Sequence, residues 1–171
     1  MTPIKPRHPL IGIIGWSGNG KTTLIEKTVP LLVAEGLKVN LVKSSHHDVE
    51  LEPPQKDSAR MRRSGATEVL LTSPYRFAIT HELRGGKEPP LAELLSRMQA
   101  VDLTLVEGFQ DEPIPKLEIY RPASGKAPMY PVTPYIEAVA SDAPQPENLR
   151  QGVEWLDLNN LNQIVDWLLC R

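Results

Sequence analysis

The chain has 171 residues, 40% hydrophobic and 23% charged, with a net charge of −2. That length builds a sizeable core, so 1–171 reads as a single domain, and the near-neutral charge offers no general attraction to nucleic acid or an anionic membrane. One cysteine, Cys170, allows neither an internal disulfide nor a cysteine metal cage, and no apolar run spans a bilayer; a cytoplasmic protein is expected.

Leu10-Ile11-Gly12-Ile13-Ile14 reads as a short buried strand. Gly15-Trp16-Ser17-Gly18-Asn19-Gly20-Lys21-Thr22 follows and fits G-x-x-x-x-G-K-[ST]. A helix is predicted from 21 to about 35, closed by Gly36. Strand, glycine loop and helix together are the context a phosphate-binding P-loop requires. Glycines let the backbone wrap closely around phosphates. The amides and the helix N-terminus then supply partial positive charge. All eight residues of the loop, together with Thr23, are therefore expected to contact a nucleotide. Lys21 is expected to reach its β- and γ-phosphates, and the Thr22 hydroxyl to hold Mg²⁺.

A second strand, 38–43, ends at Lys43, a candidate phosphate contact. The polar loop Ser44-Ser45-His46-His47-Asp48 should face the same ligand edge. Asp48 is its candidate metal-side or catalytic acid. The paired histidines raise a transition-metal alternative, although neighbouring histidines seldom face one ion. A charged helix over 56–64 carries Arg60, Arg62 and Arg63. It is read either as a solvated face or as a site for a second anion. Strands over 69–72 and 77–80, joined at Ser73-Pro74, suggest a hairpin and hence a mixed sheet.

A short helix is predicted over 90–98. The buried strand 101–106 leads into Glu107-Gly108-Phe109, a Walker-B pattern. An acid at that strand end lies beside the P-loop, where Glu107 can hold Mg²⁺ or orient a water. Asp102 opens the strand and is read as structural. Strands over 117–120 and 136–140 and a helix over 159–169 complete the pattern. Lys116 is a further candidate for the site. Six prolines between 113 and 134 mark a loop region and a candidate partner surface. The alternation predicts an α/β P-loop NTPase three-layer fold: a mostly parallel sheet with an antiparallel hairpin.

Gly15 to Leu24, the loop from Lys43 to Asp48, Lys56-Asp57-Ser58 with Gly65-Ala66, and Val106-Glu107-Gly108-Phe109 before Pro115-Lys116 occur in this order. Together with Ala138-Val139-Ala140-Ser141-Asp142, they resemble the molybdopterin-guanine dinucleotide biosynthesis adapter protein family, MobB. The resemblance covers nearly the whole chain. It implies GTP and Mg²⁺ binding, weak GTP hydrolysis and a homodimer. The implied partner is the molybdenum cofactor guanylyltransferase, which joins GMP to molybdopterin, and molybdopterin itself is a further candidate ligand. Family members often carry a histidine directly after the switch lysine; Ser44 stands there in this chain, so any role of that histidine does not carry over.

Guanine selection is not written in the spacing, because the usual Asn-Lys-x-Asp motif is absent. Asp142, after a late strand, can accept hydrogen bonds from guanine N1–H and the exocyclic amine, or can be an ordinary turn residue. No arginine is placed as a finger, so slow hydrolysis is expected. Two alternatives share these residues: a small-molecule kinase using the 60–63 helix for its acceptor, and a nickel-type metallochaperone GTPase using His46 and His47.

Overall fold

The computed structural model describes residues 9–45 and 47–171. In chain order the elements are β1 (Leu10–Ile14), α1 (Lys21–Ala34), β2 (Val39–Lys43), α2 (Asp57–Arg63), β3 (Glu68–Thr72) and β4 (Phe77–His81). Then follow α3 (Leu91–Ser96), β5 (Leu103–Glu107), β6 (Lys116–Tyr120), β7 (Ile136–Ser141), β8 (Glu154–Asp157) and α4 (Leu161–Leu169). The chain divides into two compact units, Met1–Ser44 with Gln99–Arg171, and Ser45–Met98.

The first unit is built on a six-stranded sheet in the order β2-β5-β1-β6-β7-β8, parallel at every pairing. Near-continuous burial along β1, β5, β6 and β7 explains this arrangement, since parallel strands are covered on both faces. Ile11, Ile13, Leu103, Leu105, Leu117 and Ile119 point to one face. There they pack with Leu24, Ile25 and Leu32 of α1 and with Ile164, Trp167 and Leu168 of α4. On the other face Ile14 and Val139 pack with Ile136, Met129, Tyr130 and Val153.

That second face also contains a charge. Glu118 is fully buried, and its carboxylate accepts the Met129 and Tyr130 N–H groups at 2.7 and 2.8 Å. Burial pushes its pKa up, and the two amide bonds oppose that shift. Glu118 thereby fastens the proline-rich segment to β6.

The second unit holds α2, α3 and the hairpin. The hairpin forms as expected, pairing Thr72 with Phe77 and Glu68 with His81. It is a separate two-stranded sheet, however, so the large sheet is not mixed. Ser73 closes the turn by bonding Arg76, so the two strands satisfy one another locally. Strand β8 was not anticipated. Its four residues carry acids at both ends, leaving only Trp155 and Leu156 as apolar signal.

Candidate nucleotide site

Parallel strands bring their C-terminal ends to one edge, where open α/β sheets bind ligands. The loop between β1 and α1 lies at this edge. Gly15, Gly18 and Gly20 adopt φ values of 138°, 84° and 95°, a region L side chains rarely enter. At Gly15 the need is also steric, because a Cβ would collide with the Ile119 carbonyl oxygen. Gly20 caps α1 in a left-handed conformation without a side-chain bond. Gly20 therefore leaves the first turn of α1 without a side-chain N-cap, which suits an anion held by main-chain N–H groups.

Lys21, the first residue of α1, folds back along the loop. Its Nζ donates to the Gly15 and Trp16 carbonyls at 2.8 and 3.2 Å. Burial lowers its pKa, the Glu107 charge raises it, and the Lys43 charge lowers it. Trp16 is fixed on its other side, its Nε1 donating to Ala127 O at 2.8 Å. Asn19 is buried, and its Nδ2 donates to Ile119 O at 3.0 Å, tying the loop to β6.

Strand register assembles the acidic side of the site. Lys43 and Glu107 are partners at the ends of β2 and β5, and Glu107 is also level with Ile13 of β1. The Thr22 hydroxyl lies 3.1 Å from both Glu107 carboxylate oxygens. Lys43 Nζ donates to Thr22 Oγ1 at 3.3 Å and stands 3.5 Å from Glu107 Oε2. Glu107 is only 13% exposed, so this cluster is partly shielded from solvent. A hydroxyl and a carboxylate converging beside a phosphate loop are hard oxygen donors of the type Mg²⁺ takes. Gly108 follows with φ 99° and packs against Ser44, where a Cβ would come within 3.0 Å of the Ser44 Cβ.

A cavity of about 380 Å³ opens beside the loop, lined by Gly18, Gly20, Thr23, Arg121, Asn159 and neighbouring residues. Asp142 accepts from Arg121 Nη1 at 2.7 Å, and Arg121 Nε donates to Asn19 O at 3.1 Å. Arg121 was missed in the sequence. It is the first residue after β6, and the strand-end argument that selected Glu107 selects it equally. Asn160 caps α4, its side chain accepting from Gln163 N. Asp102 is structural as read, accepting the Lys38 N–H at 2.9 Å.

Most of the remaining candidates have partners of their own. Lys116 is turned into the fold, donating to the Glu112 and Ile114 carbonyls with the Tyr135 ring 5.2 Å from its ammonium. Its expected place at the site is corrected: residue 116 begins β6, whereas the site lies at that strand's far end. Asp48 belongs to the second unit, in a charged pocket with Glu50, Glu52, Arg62, Glu82 and Arg84. The cations proposed for a second anion are engaged there. Arg62 pairs with Glu52 and Glu82, Arg60 with Asp57, and Arg63 donates to Pro54 O. His46 lies outside the described residues.

The family model described as Molybdopterin guanine dinucleotide synthesis protein B matches residues 10–142. The chain belongs to the MobB family. A molybdopterin-guanine dinucleotide biosynthesis adapter protein of Escherichia coli is 38% identical over 168 residues, covering 96% of this chain and 94% of that protein. The like-named protein of Haemophilus influenzae is 39% identical, covering 94% and 87%. A crystal structure of molybdopterin-guanine biosynthesis protein B superposes with a TM-score of 0.71 at 25% identity, covering 94% of this chain and 97% of the other. A MobB homologue from Bacillus stearothermophilus gives 0.67 at 24% identity, covering 94% and 95%, and so supports the fold. The matched span includes residues 15–22, 107 and 142, and MobB membership places the chain in molybdopterin-guanine dinucleotide biosynthesis.

Proposed function

We propose that this chain binds GTP with Mg²⁺ at the P-loop, hydrolyses it slowly, and serves the guanylyltransferase that attaches GMP to molybdopterin. The observation that carries this reading is the convergence of Thr22, Glu107 and Lys43 beside a glycine cradle without a side-chain N-cap. The adapter role follows the names of its relatives in Escherichia coli and Haemophilus influenzae. Action in the cytoplasm fits a chain in which, among the described residues, no helix is long and apolar enough to cross a membrane. A homodimer and direct contact with molybdopterin belong to the same proposal, carried by family resemblance.

Each residue then has a chemical task. The loop amides and Lys21 neutralise the phosphates, Lys21 reaching the β- and γ-groups. Thr22 and Glu107 would hold Mg²⁺, which when bound would neutralise phosphate charge. Lys43, 3.5 Å from Glu107 Oε2 and bonded to Thr22 Oγ1, holds the carboxylate and the hydroxyl together. Asp142 reads the base edge. Hydrolysis is attack of water on the γ-phosphorus with GDP leaving, and slow turnover fits the engagement of Arg121 by other groups. Arg121, which lines the cavity beside the loop, is engaged by Asn19 and Asp142.

Reconstituted synthesis tests the role. Molybdopterin, GTP, Mg²⁺ and the guanylyltransferase are combined with the wild-type chain or with Thr22→Ala. Faster dinucleotide formation with wild type only is expected. Equal stimulation by both proteins contradicts a nucleotide-dependent adapter.

A further inference from the structure

Arg121 and Asp142 are the first residues beyond β6 and β7, adjacent strands whose last residues, Tyr120 and Ser141, are register partners. They therefore leave the sheet side by side at the ligand edge. One guanidinium spans two structures there. Its Nε holds the carbonyl of Asn19 in the phosphate loop, and its Nη1 holds Oδ2 of Asp142. Arg121 also lines the cavity that begins at Gly18 and Gly20 and runs to Asn159.

The pair is 40% and 29% exposed. Surface ion pairs of that exposure contribute little to stability, so a fold-stabilising role accounts poorly for a three-point arrangement at this edge. Geometry gives it another use. A carboxylate selects guanine by accepting from two neighbouring donors, N1–H and the 2-amine, which requires it to be ionised and correctly turned. Adenine offers that edge an acceptor at N1 and a C–H at position 2, so neither donor is present. Among the described residues no hydrogen bond is made to Oδ1 of Asp142, so an acceptor stays available while Oδ2 is held.

We propose that Arg121 is a positioning residue for base selection: it fixes Asp142 toward a 2-amino-6-oxopurine and braces that carboxylate against the phosphate loop at Asn19. This rests on the GTP reading above. The phosphate cradle and the base wall then form one unit. A nucleotide satisfying both gains from an arrangement already set, whereas one satisfying only the phosphates does not.

Calorimetry with Mg²⁺ tests it, using GTP, ITP, which lacks the 2-amine, ATP, and inorganic tripolyphosphate. Wild type is expected to prefer GTP over ITP and ITP over ATP. In Arg121→Gln the GTP affinity is expected to fall about tenfold, with tripolyphosphate and ATP changed less than about threefold, so that the preferences collapse. Arg121→Lys keeps a charge for Asp142 and is expected to restore part of the preference. Circular dichroism of each variant establishes that it is folded. Equal losses for all four ligands in Arg121→Gln would reduce Arg121 to scaffolding and overturn the proposal, as would an unchanged GTP-to-ATP ratio. Wild type binding none of the nucleotides would sink the GTP reading itself and this inference with it, and the wild-type titrations alone reveal that case.

Discussion

Thr22 Oγ1 sits 3.1 Å from both carboxylate oxygens of Glu107, across 85 positions of sequence. One residue is the second of α1 and the other ends β5, and the parallel register of β1 and β5 brings them together. The pair joins the phosphate loop to the acid strand.

Removing either partner is expected to uncouple GTP binding from Mg²⁺. Thr22→Ala and Glu107→Gln should each lower the apparent Mg²⁺ affinity about tenfold or more, the scale seen when metal-site groups are altered. Mg²⁺ titrations at fixed GTP measure this. Metal dependence identical to wild type would remove both residues from the Mg²⁺ shell.

The loop glycines should differ in their tolerance of a methyl group. Gly15→Ala meets both an unfavourable φ and the Ile119 carbonyl; a loss of about 3 kcal/mol is expected. Gly18→Ala meets open space and only the unfavourable φ, so about 1 kcal/mol is expected. Urea denaturation of the two variants compares them. Equal losses would show that backbone conformation alone governs the loop.

Glu118 predicts a pH dependence of stability. Its folded pKa is raised by burial, so between the ordinary 4.5 and the raised value the folded state binds more protons than the unfolded state. The slope of stability with pH is then negative in that window. Stability is full below it and is lost as pH rises through it. Urea denaturation across pH is expected to show this fall in wild type and a flatter profile in Glu118→Gln, because glutamine does not titrate. Parallel profiles would mean that another group sets the slope.

Local and tertiary features differed in how far the sequence revealed them. The P-loop was readable because each residue's role is fixed by spacing within eight positions. Glu107 was readable because an acid ending an apolar strand has one destination in a parallel α/β sheet. Arg121 follows a strand end much as Glu107 does, but its joining of residues 19 and 142 is not local, because that junction exists only once β6 and β7 are neighbours. The hairpin was visible through its two apolar runs and the Ser73-Pro74 turn, yet alternation carries no record of which sheet a strand joins. Lys116 follows the loop after Glu107 in sequence but opens β6, at the end of the strand away from the site. In the folded chain Gly12 is its register partner, well below the ends of the strands.

The account stands most directly on Lys21. Calorimetric titration of wild type and Lys21→Ala with GTP and with ATP, in the presence of Mg²⁺, measures it. GTP is expected to bind wild type more tightly than ATP, and binding is expected to be lost in Lys21→Ala. Unchanged GTP affinity in that variant, or equal affinity of wild type for GTP and ATP, would contradict a guanine nucleotide held by this loop.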